Sequence, residues 1–460
     1  MKAERVGDAA ERITLAAVQS SAAKMVSAGS ILCVVRSGIL KHTFPVAIAE
    51  CDLTLNQDMR ALTPAEGVDA DFVRLFLTLN NDAILHGCAK DGTTVASINP
   101  DQLAVIGVPL APVAEQARIA KEATAILADL DEAEAALARA RTGLAEYRAS
   151  LLHAACTGQL TAAWRASRPH PTEDGPALLR RILAERRAAW ERAELARLHA
   201  RGKPAPIGEG WKARYPEPEA PDVKGMPELP DGWTWASFGQ LFQVLIGSTP
   251  LRAMPQYWNG DIAWVSSGEI AFSTIKKARE CITAAGLAAT STRLHPPGTV
   301  LLAMIGEGRT RGQAAILAIP ACNSQNSAAI RVSETPIPPA YVLAWLTLIY
   351  QKNRQASAGG NQPALNKERV QQIMMPLPPL AEIKAILEQI SSDVNAGTDT
   401  GLMLKNLTGD ITVLRQSILH AAFTGRLVPQ DLADEPAAAL LTRLRTAPAA
   451  PRRARVKAPA

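Results

Sequence analysis

Two eleven-residue segments of this chain are nearly identical, and this internal repeat constrains the fold more than any other feature. Residues 150–160 read SLLHAACTGQL and residues 417–427 read SILHAAFTGRL, so eight of the eleven positions agree at an offset of 267. The same offset pairs Asn99 with Asn366 in the preceding part of each copy. The repeated unit is over 100 residues long, which is too long for the repeat of a solenoid or a propeller. We therefore expect one folded unit used twice, which resembles a two-fold dimer within one chain.

The composition is that of a globular protein. Hydrophobic residues make up 47% and charged residues 20% of the 460 positions, which are ordinary values for such proteins. No apolar run approaches the roughly 20 residues of a membrane span, and the first residues lack the apolar core of a signal peptide. The six cysteines form no CxxC pair, which favours reduced thiols in a cytoplasmic protein. The net charge of +5 permits nucleic-acid binding without establishing it.

The first part of each copy has the pattern of a small β-sheet. The segments GSILCVV (29–35) and GTVLLAMIG (298–306) are short apolar runs, each opened by a glycine. Here the offset between the copies is 269, which aligns Gly29 with Gly298. Clusters of Gly, Pro, Asn and Ser between such runs predict short strands joined by irregular loops.

The second part of each copy predicts a long helix. The helices begin after the proline-containing segments PLAPVAEQ (109–116) and PLPPLAEI (376–383), and apolar residues then recur about every seven positions. A narrow heptad seam is typical of helices that pack on each other, although each helix could instead pack on its own domain. The predicted seam residues are Leu130, Leu137, Leu144, Leu151, Leu404, Ile411 and Ile418.

A third region separates the two copies. Residues 176–203 have a helical pattern with eight basic and three acidic residues, and a Pro- and Gly-rich segment follows at 203–233. The basic helix could lie along phosphates, contact an acidic partner, or present a solvated face. The segment 450–460 has the composition of a disordered tail.

The two copies differ in length. About 65 residues separate the start of the second copy, near Trp233, from Gly298, whereas only 28 residues precede Gly29. We therefore expect the first copy to lack about 40 residues that the second has. This predicts missing early strands, an unpaired sheet edge and an exposed core from Ile31 to Val35.

Motifs for catalysis are absent from the sequence. There is no GxxxxGK[ST], HExxH or CxxC, and no motif of an adenine methyltransferase. His153 and His420 occupy equivalent positions in the repeat, and we interpret them as packed, hydrogen-bonded helix residues rather than a catalytic pair. The segment GEGRTRGQ (306–313) could cradle a phosphate, but a β-turn that presents two arginines fits it better, because no helix pattern follows.

Polar and basic residues on predicted loops are candidates for contacts with DNA. Arg and Lys bind phosphates or guanine edges, and Asn and Gln can bind adenine, although most basic surface residues are only solvated. In the second copy the candidates are Lys276, Lys277, Arg293, Arg309, Arg311, Asn361 and Gln362, and in the first they are Arg36, Lys41 and Thr94.

Together, these motifs resemble a known family. A small β-rich domain, a PLPPLAE entry, a long helix and LHAAFTGRL follow one another twice, with LPDGW at 229–233 and GNQPALN at 360–366. Over nearly the whole chain this order resembles the specificity subunit of type I restriction–modification systems. The resemblance implies an α+β fold with two β-rich target recognition domains and two long helices, packed as an antiparallel coiled coil with pseudo-two-fold symmetry.

The same resemblance sets the expected domain boundaries. The expected segments are recognition domain 1 at 1–108 (N-terminally incomplete), long helix 1 at 109–160, a basic helix and linker at 161–226, recognition domain 2 at 227–378, long helix 2 at 379–428, and a tail at 429–460.

The resemblance also implies a function. The chain would recognise a bipartite site in double-stranded DNA and would scaffold two methyltransferase (M) subunits and the restriction/motor (R) subunits. It would not be an enzyme and would hold no metal, because S-adenosylmethionine, ATP and Mg would be bound by the partner subunits alone. The alternatives are a standalone nuclease and a coiled-coil scaffold that does not bind DNA.

Overall fold

The chain folds into two compact units. The computed structural model describes residues 4–446 except 10, 91–94, 169–170, 205, 207, 307 and 352–364, and it does not describe the side chains of 394–398. The predicted disordered tail at 450–460 therefore lies outside the described residues. Unit 1 comprises Met1–Arg141 and Leu402–Ala460, and unit 2 comprises Thr142–Gly401.

Short strands and helices are mixed along the chain, and two of the helices are far longer than the others. The strands are β1 Arg5–Val6, β2 Met25–Val26, β3 Ile31–Val34, β4 Val46–Ala49, β5 Leu53–Thr54, β6 Met59–Leu62, β7 Thr234–Ser237, β8 Val244–Ile246, β9 Trp258–Val265, β10 Ser273–Ile275, β11 Glu280–Ile282, β12 Val300–Ala303, β13 Ala314–Leu317, β14 Cys322–Asn323, β15 Ser327–Ile330 and β16 Met374–Leu377. The helices are α1 Leu15–Ser20, α2 Ala70–Leu79, α3 Asn81–Gly87, α4 Pro100–Ala104, α5 Val113–Cys156, α6 Ala162–Ala166, α7 Gly175–Ala200, α8 Phe238–Leu241, α9 Ala284–Ala288, α10 Pro339–Leu348, α11 Lys367–Gln371, α12 Leu380–Phe423 and α13 Ala437–Thr446. The fold is α+β, as expected.

The main sheet of unit 1 has four strands in the order β1-β4-β3-β6. Strand β3 pairs antiparallel with both β4 and β6, and β1 runs parallel to β4. Residues 31–35 are buried, against a core that includes Phe44, Phe76 and Ile84. The expectation of an exposed core from Ile31 to Val35 is therefore wrong, because strands on both sides and helices across the face cover β3.

The main sheet of unit 2 repeats this arrangement and adds a strand. Strands β10, β13, β12 and β15 stand in the same order as β1, β4, β3 and β6, and β8 then pairs antiparallel with β15. Strand β12 begins 269 residues after β3, so the sequence offset relates equivalent strands. In the described part of unit 1, β6 pairs with β3 alone and forms a sheet edge. Two smaller sheets, β11-β9-β14 and β16-β7, complete unit 2.

A glycine opens each central strand because the chain turns there with a positive φ. Gly29 has φ +82° and Gly298 has φ +83°, a conformation that side chains other than glycine rarely adopt. The residues that follow are apolar without alternation because both faces of β3 and β12 are covered, and all four residues of each strand are buried. The conspicuous pattern of a glycine followed by an apolar run thus marks the centre of each sheet.

The long helices pack antiparallel within unit 1. Near the middle of α5, the Asp131 carboxylate pairs with the Arg415 guanidinium of α12. Further along α5, the Arg141 guanidinium donates to the backbone carbonyl of Leu404 over 3.2 Å. Residue numbers therefore rise along one helix as they fall along the other, which confirms the expected antiparallel packing.

The same helices also pack on the sheet domain of unit 1. The Phe423 ring at the end of α12 lies 4.9 Å from the Phe72 ring and 5.3 Å from the Phe76 ring, centroid to centroid, and both partners are on α2. The helices thus pack both on each other and on the sheet domain, as the two interpretations of the apolar seam predicted. The heptad residues join helix to helix, and the terminal turns join the helices to the sheet domain.

Within unit 2, the other ends of the two helices meet in the same way. A Cβ atom added to Gly401 would lie 3.8 Å from Leu144 Cδ2, and Ala155 and Cys156 share a core cluster with Ile383 and Ile386. Every predicted seam residue is at least partly excluded from solvent in its unit. Fully buried are Leu130, Leu151, Leu404 and Ile418, and partly buried are Leu137, Leu144 and Ile411.

The basic region between the copies belongs to the core of unit 2. On α7, Leu178 and Ile182 are buried with the main core cluster, and Gly175 passes so close to β16 that an added Cβ would lie 2.2 Å from the Leu377 carbonyl oxygen. Several of its arginines pair with nearby carboxylates, as Arg181 does with Glu173. We therefore favour a structural role for this helix over a track along phosphates.

The repeat extends beyond what the sequence alone indicated. In unit 1, Leu440 of α13 is buried as Leu178 is on α7. The Arg443 side chain bonds Glu435 across eight residues, the same separation that joins Arg181 to Glu173. The helices α7 and α13, which follow the two long helices, are therefore equivalent parts of the repeat.

One buried carboxylate joins three of the sequence motifs in unit 2. Glu382, in PLPPLAE, is fully buried and accepts hydrogen bonds from the Thr161 hydroxyl at 2.7 Å, Arg165 Nη1 at 2.5 Å and the Trp233 indole N–H at 2.9 Å. Trp233 ends LPDGW, and Thr161 directly follows LHAACTGQL. A buried charge requires such partners, and these motifs supply them.

Candidate nucleic-acid interface

Arg309 and Arg311 lie on the hairpin loop that joins β12 to β13. The loop closes through a bond from the Gln313 N–H to the Thr310 carbonyl at 3.0 Å and another from Gly312 to Ala303 at 2.8 Å. The first bond is that of a β-turn, and β13 follows it directly, so the turn predicted for this segment is confirmed. Arg309 is exposed and Arg311 is half-buried.

This loop is supported by aromatic residues from elsewhere in unit 2. The Tyr350 hydroxyl donates to the backbone carbonyl of Arg309. The Tyr350 ring meets the Phe272 ring edge-on at 5.2 Å. Phe272 has φ +46°, a left-handed conformation that is strained for a bulky side chain and persists only where the surroundings enforce it. Tyr350 therefore holds the backbone at Arg309, and Phe272 in turn supports the Tyr350 ring.

The equivalent loop of unit 1 also carries basic residues. Arg36 and Lys41 lie between β3 and β4, the strands that correspond to β12 and β13, and both are exposed. A short helical turn at Gly38–Lys41 shapes this loop, and the Ser37 hydroxyl caps it by accepting from the Ile39 N–H at 3.4 Å. The structure thus places candidates from both copies on the same hairpin loop of the repeated sheet.

Three other candidates lie at the opposite end of the sheet in unit 2. Lys276 and Lys277 follow the last residue of β10, at the end where the Ala318 N–H donates to the Ile275 carbonyl over 2.9 Å. Arg293 lies just before His295, which pairs with Ala321 on that side. All three basic residues are exposed. The four residues of β12 put about 13 Å between the two ends, so the five described candidates of unit 2 do not form one surface.

The remaining candidates, Asn361, Gln362 and Thr94, lie outside the described residues. The described residue closest to the first two is Leu365, whose N–H donates to the Met304 carbonyl over 3.0 Å. In unit 1 the Ile98 N–H donates to the Val35 carbonyl over 2.8 Å, at the equivalent place. Leu365 and Ile98 therefore bond their sheets at the end that carries the basic hairpin loop.

Sequence analysis missed an exposed glutamine at this same end. Gln325 is exposed, while Asn323, Ser324 and Ser327 around it are buried. The neighbouring Asn326 carbonyl accepts from the Met304 N–H at 2.8 Å, which puts this turn beside the end of β12. A short polar run, NSQNS, between two apolar strands was the available signal, and it did not distinguish the exposed residue from its buried neighbours.

A buried polar network lies beneath the turn. Asn323 Nδ2 donates to the Ser327 carbonyl at 2.8 Å, and Asn323 Oδ1 lies 3.0 Å from His295 Nε2. Arg331 Nε donates to His295 Nδ1 over 3.0 Å, so the imidazole is neutral with its proton on Nε2. Burial, followed by the nearby Arg331 charge, lowers the pKa of His295 to about 4.

The two histidines at equivalent positions of the repeat lie on the surface. His153 and His420 are both exposed, so the interpretation of packed helix histidines is wrong. The long helices bury narrow seams, and both imidazoles lie outside them. Among the residues that the structure describes, no three His, Cys, Asp or Glu side chains are grouped as metal ligands would be. No described helix has the length and apolarity needed to cross a membrane.

Comparison with known proteins gives consistent matches. Residues 230–400 match the family model of the type I restriction modification DNA specificity domain. The chain is 36% identical to the specificity subunit of the Escherichia coli type I restriction enzyme EcoR124I/EcoR124II over 114 residues, which are 25% of this chain and 28% of that protein. It is 22% identical to the E. coli EcoDI specificity subunit over 370 residues, 78% of this chain and 72% of that one.

A third relative and one solved structure extend these matches. The chain is 23% identical to the MjaIX specificity subunit of Methanocaldococcus jannaschii over 39% of its own length and 41% of that protein. It thus spans less than half of the EcoR124I/EcoR124II and MjaIX subunits. A solved structure described as the "structural basis underlying complex assembly and conformational transition of the type I R-M system" superimposes with a TM-score of 0.60 at 16% identity, over 88% of this chain and 84% of that one. The fold and the family resemblance expected from the sequence are confirmed.

Proposed function

We propose that this chain, a relative of the specificity subunits of type I restriction–modification systems, is a non-catalytic subunit that recognises a bipartite site in double-stranded DNA. Each half of the site would be read by one of the two sheet domains. The observation that carries the proposal is the repeated basic hairpin loop, with Arg36 and Lys41 in unit 1 and Arg309 and Arg311 in unit 2. In unit 2 this loop lies within the residues that match the DNA specificity domain.

The basic residues on these loops suit contacts with phosphates. Exposed Lys and Arg neutralise phosphate charge and release counterions, which supplies affinity without sequence preference. The Tyr350 bond to the Arg309 backbone holds the unit 2 loop in one position. A fixed loop aligns neighbouring polar groups with the bases, which is how phosphate contacts contribute to specificity.

We further propose that the long helices carry the partner subunits. On α12, the apolar residues Leu402, Met403 and Val413 are each more than half exposed, and such surface favours protein contacts. Two methyltransferase subunits and the restriction/motor subunits would bind the chain. S-adenosylmethionine, ATP and Mg would act in those partners, and this chain would supply recognition alone.

Selection from a random library of DNA duplexes tests the proposal. The full chain is incubated with the duplexes, and the bound fraction is sequenced through several rounds. We expect two short conserved blocks separated by a gap of unspecified sequence. Binding without any enriched sequence would favour a scaffold that does not read DNA. Methyl transfer or cleavage by the chain alone would instead favour an enzyme.

A further inference from the structure

We propose that Gln325 reads a base in the half-site bound by unit 2, and that this base is an adenine contacted in the major groove. The inference rests on the proposed function, since it assigns one determinant of specificity within the proposed interface. It is carried by the way the fold exposes this one side chain on a rigid turn.

The turn that carries Gln325 is anchored on both sides. The Asn323 side chain bonds the Ser327 carbonyl at 2.8 Å and the Ser327 hydroxyl at 3.1 Å, which closes the turn from within. The Asn323 backbone carbonyl accepts from the Ser248 N–H at 3.0 Å, which ties the turn to the segment after β8. Gly247 passes so close that an added Cβ would lie 2.0 Å from the Asn323 carbonyl oxygen.

The buried network below makes this turn rigid. His295 bonds Asn323 Oδ1 and in turn accepts from Arg331. His295 and Asn323 are buried, and their effect is to fix the backbone from which Gln325 projects. A side chain held in its binding position loses less conformational entropy on binding, which is the benefit of preorganisation.

The functional groups of Gln325 match an adenine edge. The Thr249 hydroxyl donates to Gln325 Oε1, and an amide oxygen can accept a second hydrogen bond. Within the described residues, no group accepts from Gln325 Nε2. The amide can therefore donate from Nε2 to adenine N7 and accept at Oε1 from the adenine N6 amino group, the bidentate pairing of glutamine with adenine.

Gln325 also stands at a suitable distance from the basic loop. Its turn precedes β15 and the loop with Arg309 precedes β13, and both strands flank β12. Two strand spacings put these loops about 10 Å apart, which spans about three base steps of 3.4 Å. Arg309 can thus contact a phosphate while Gln325 reaches a base edge nearby.

The equivalent turn in unit 1 lacks this construction. The strand register relates the two turns at an offset of 268, so Leu55 stands at the position of Asn323, and the exposed Gln57 stands at that of Gln325. In that turn the Asn56 side chain accepts from the Asp58 N–H at 3.1 Å and so bonds its own backbone. The exposed amide therefore occurs in both units, whereas the network of Asn323 and His295 that anchors its turn is found, among the described residues, in unit 2.

Sequence selection with matched variants tests the assignment. The full chain, Gln325→Ala, Gln325→Glu and the control Gln256→Ala are each used to select from the same random duplex library. Gln256 is also an exposed glutamine of unit 2. It precedes the first residue of β9, whereas Asn323 pairs with Val265 at the last residue of that strand, so the two glutamines lie at opposite ends of β9. Tryptophan fluorescence melting checks each variant for an intact unit 2.

For Gln325→Ala we expect the preference for adenine to disappear at one position of one block, with about a 5- to 150-fold loss of affinity for the selected site. Gln325→Glu should replace adenine by cytosine at that position, because a carboxylate accepts from the cytosine N4 amino group. Gln256→Ala should retain the whole consensus.

The outcomes separate this inference from the proposed function. A wild-type chain that enriches no sequence overturns both. A wild-type consensus that persists at every position in folded Gln325→Ala overturns the assignment of Gln325 and leaves the proposed function standing. Loss of preference at a base other than adenine overturns the adenine assignment.

Discussion

The two units contain the same sheet, yet they differ at the end where DNA is proposed to bind. Both present basic residues on the hairpin loop between the central strand and its neighbour, Arg36 and Lys41 in unit 1 and Arg309 and Arg311 in unit 2. Only unit 2, among the described residues, has a fifth strand in this sheet and the buried network of His295 beneath an adjacent turn. The basic loop is repeated, whereas the buried network that fixes the turn beside it is not repeated in the described part of unit 1.

The helix ends show a second difference between the units. Glu115 is the repeat counterpart of Glu382, and both are buried. The positions that correspond to Thr161 and Arg165 hold Val428 and Leu432, which have no side-chain donors. In unit 2 a charged, hydrogen-bonded joint therefore links helix and sheet, whereas in unit 1 the uncharged Gln116 bonds the segment before α2 and aromatic contacts around Phe423 complete the joint.

All eight tryptophans lie in unit 2. Tryptophan fluorescence therefore reports the unfolding of unit 2, while far-ultraviolet circular dichroism reports both units. Comparing the two signals separates effects on one unit from effects on the other, and the stability predictions below use this difference.

The largest expected effect is that of a charge in the helix seam of unit 1. Leu130 is buried between the helices, so Leu130→Asp should lower the free energy of unfolding of unit 1 by about 4 kcal/mol, because a buried carboxylate would have no partner. Tyr147→Asp, at an exposed position of the same helix, should change stability by less than about 0.5 kcal/mol. Equal melting curves for Leu130→Asp and wild type would contradict the seam.

A comparable loss is expected in unit 2 from Arg165→Ala. Glu382 is fully buried and would lose the cation that bonds it, which should lower the free energy of unfolding by about 3–5 kcal/mol. Denaturant titration followed by tryptophan fluorescence measures the change. Leu432→Ala, the counterpart in unit 1, alters a fully exposed side chain and should be neutral; a matching loss there would show that Glu382 is not what makes the two joints differ.

The His295 network should make the stability of unit 2 depend on pH. The pKa of His295 is lowered from 6.5 to about 4, so between these pH values the unfolded chain binds a proton that the folded chain does not. The stabilisation of unit 2 by neutral His295 is therefore complete above about pH 6.5. The free energy of unfolding of unit 2 decreases by up to about 3 kcal/mol as the pH falls to 4. His295→Gln should show a smaller decrease in fluorescence-monitored stability over this range, and an unchanged pH dependence would argue against the network.

The smallest expected effects concern the basic loops. Arg309→Ala should weaken binding to all DNA sequences alike and reduce the slope of log K against log salt by about one, the value for one lost phosphate contact. Lys41→Ala tests the same loop in unit 1. We expect the larger loss for Arg309→Ala, because Tyr350 holds that loop in place. If Lys41→Ala abolishes binding while Arg309→Ala leaves it unchanged, unit 1 is the main DNA-binding unit.

The elements that depend on local patterns could be predicted from the sequence. The apolar runs after Gly29 and Gly298 became β3 and β12, and the heptads became α5 and α12. Periodicity reflects which face of an element is buried, and a repeat shows that the same solution occurs twice. These features are readable because neighbours in sequence are neighbours in each element.

The arrangement of the candidate site could not be predicted in this way. Lys276 and Arg309 were grouped as basic loop residues, but strand pairing puts them at opposite ends of one sheet. The basic helix α7 turned out to supply Leu178 to the core of unit 2. Sequence patterns give the character of a residue, whereas its neighbours depend on pairings between distant segments.

The sequence by itself therefore determined the repeated unit, its β-rich and helical parts, and the resemblance to a DNA-specificity family. Tertiary structure alone decided which loops meet, which charges are neutralised within the fold, and that Gln325 is exposed while Asn323 and Ser327 beside it are buried. The physical reason is that local conformation follows from backbone and side-chain preferences along the chain. A binding surface, in contrast, is made by long-range hydrogen bonds and packing, such as the bond from His295 to Asn323 across 28 residues.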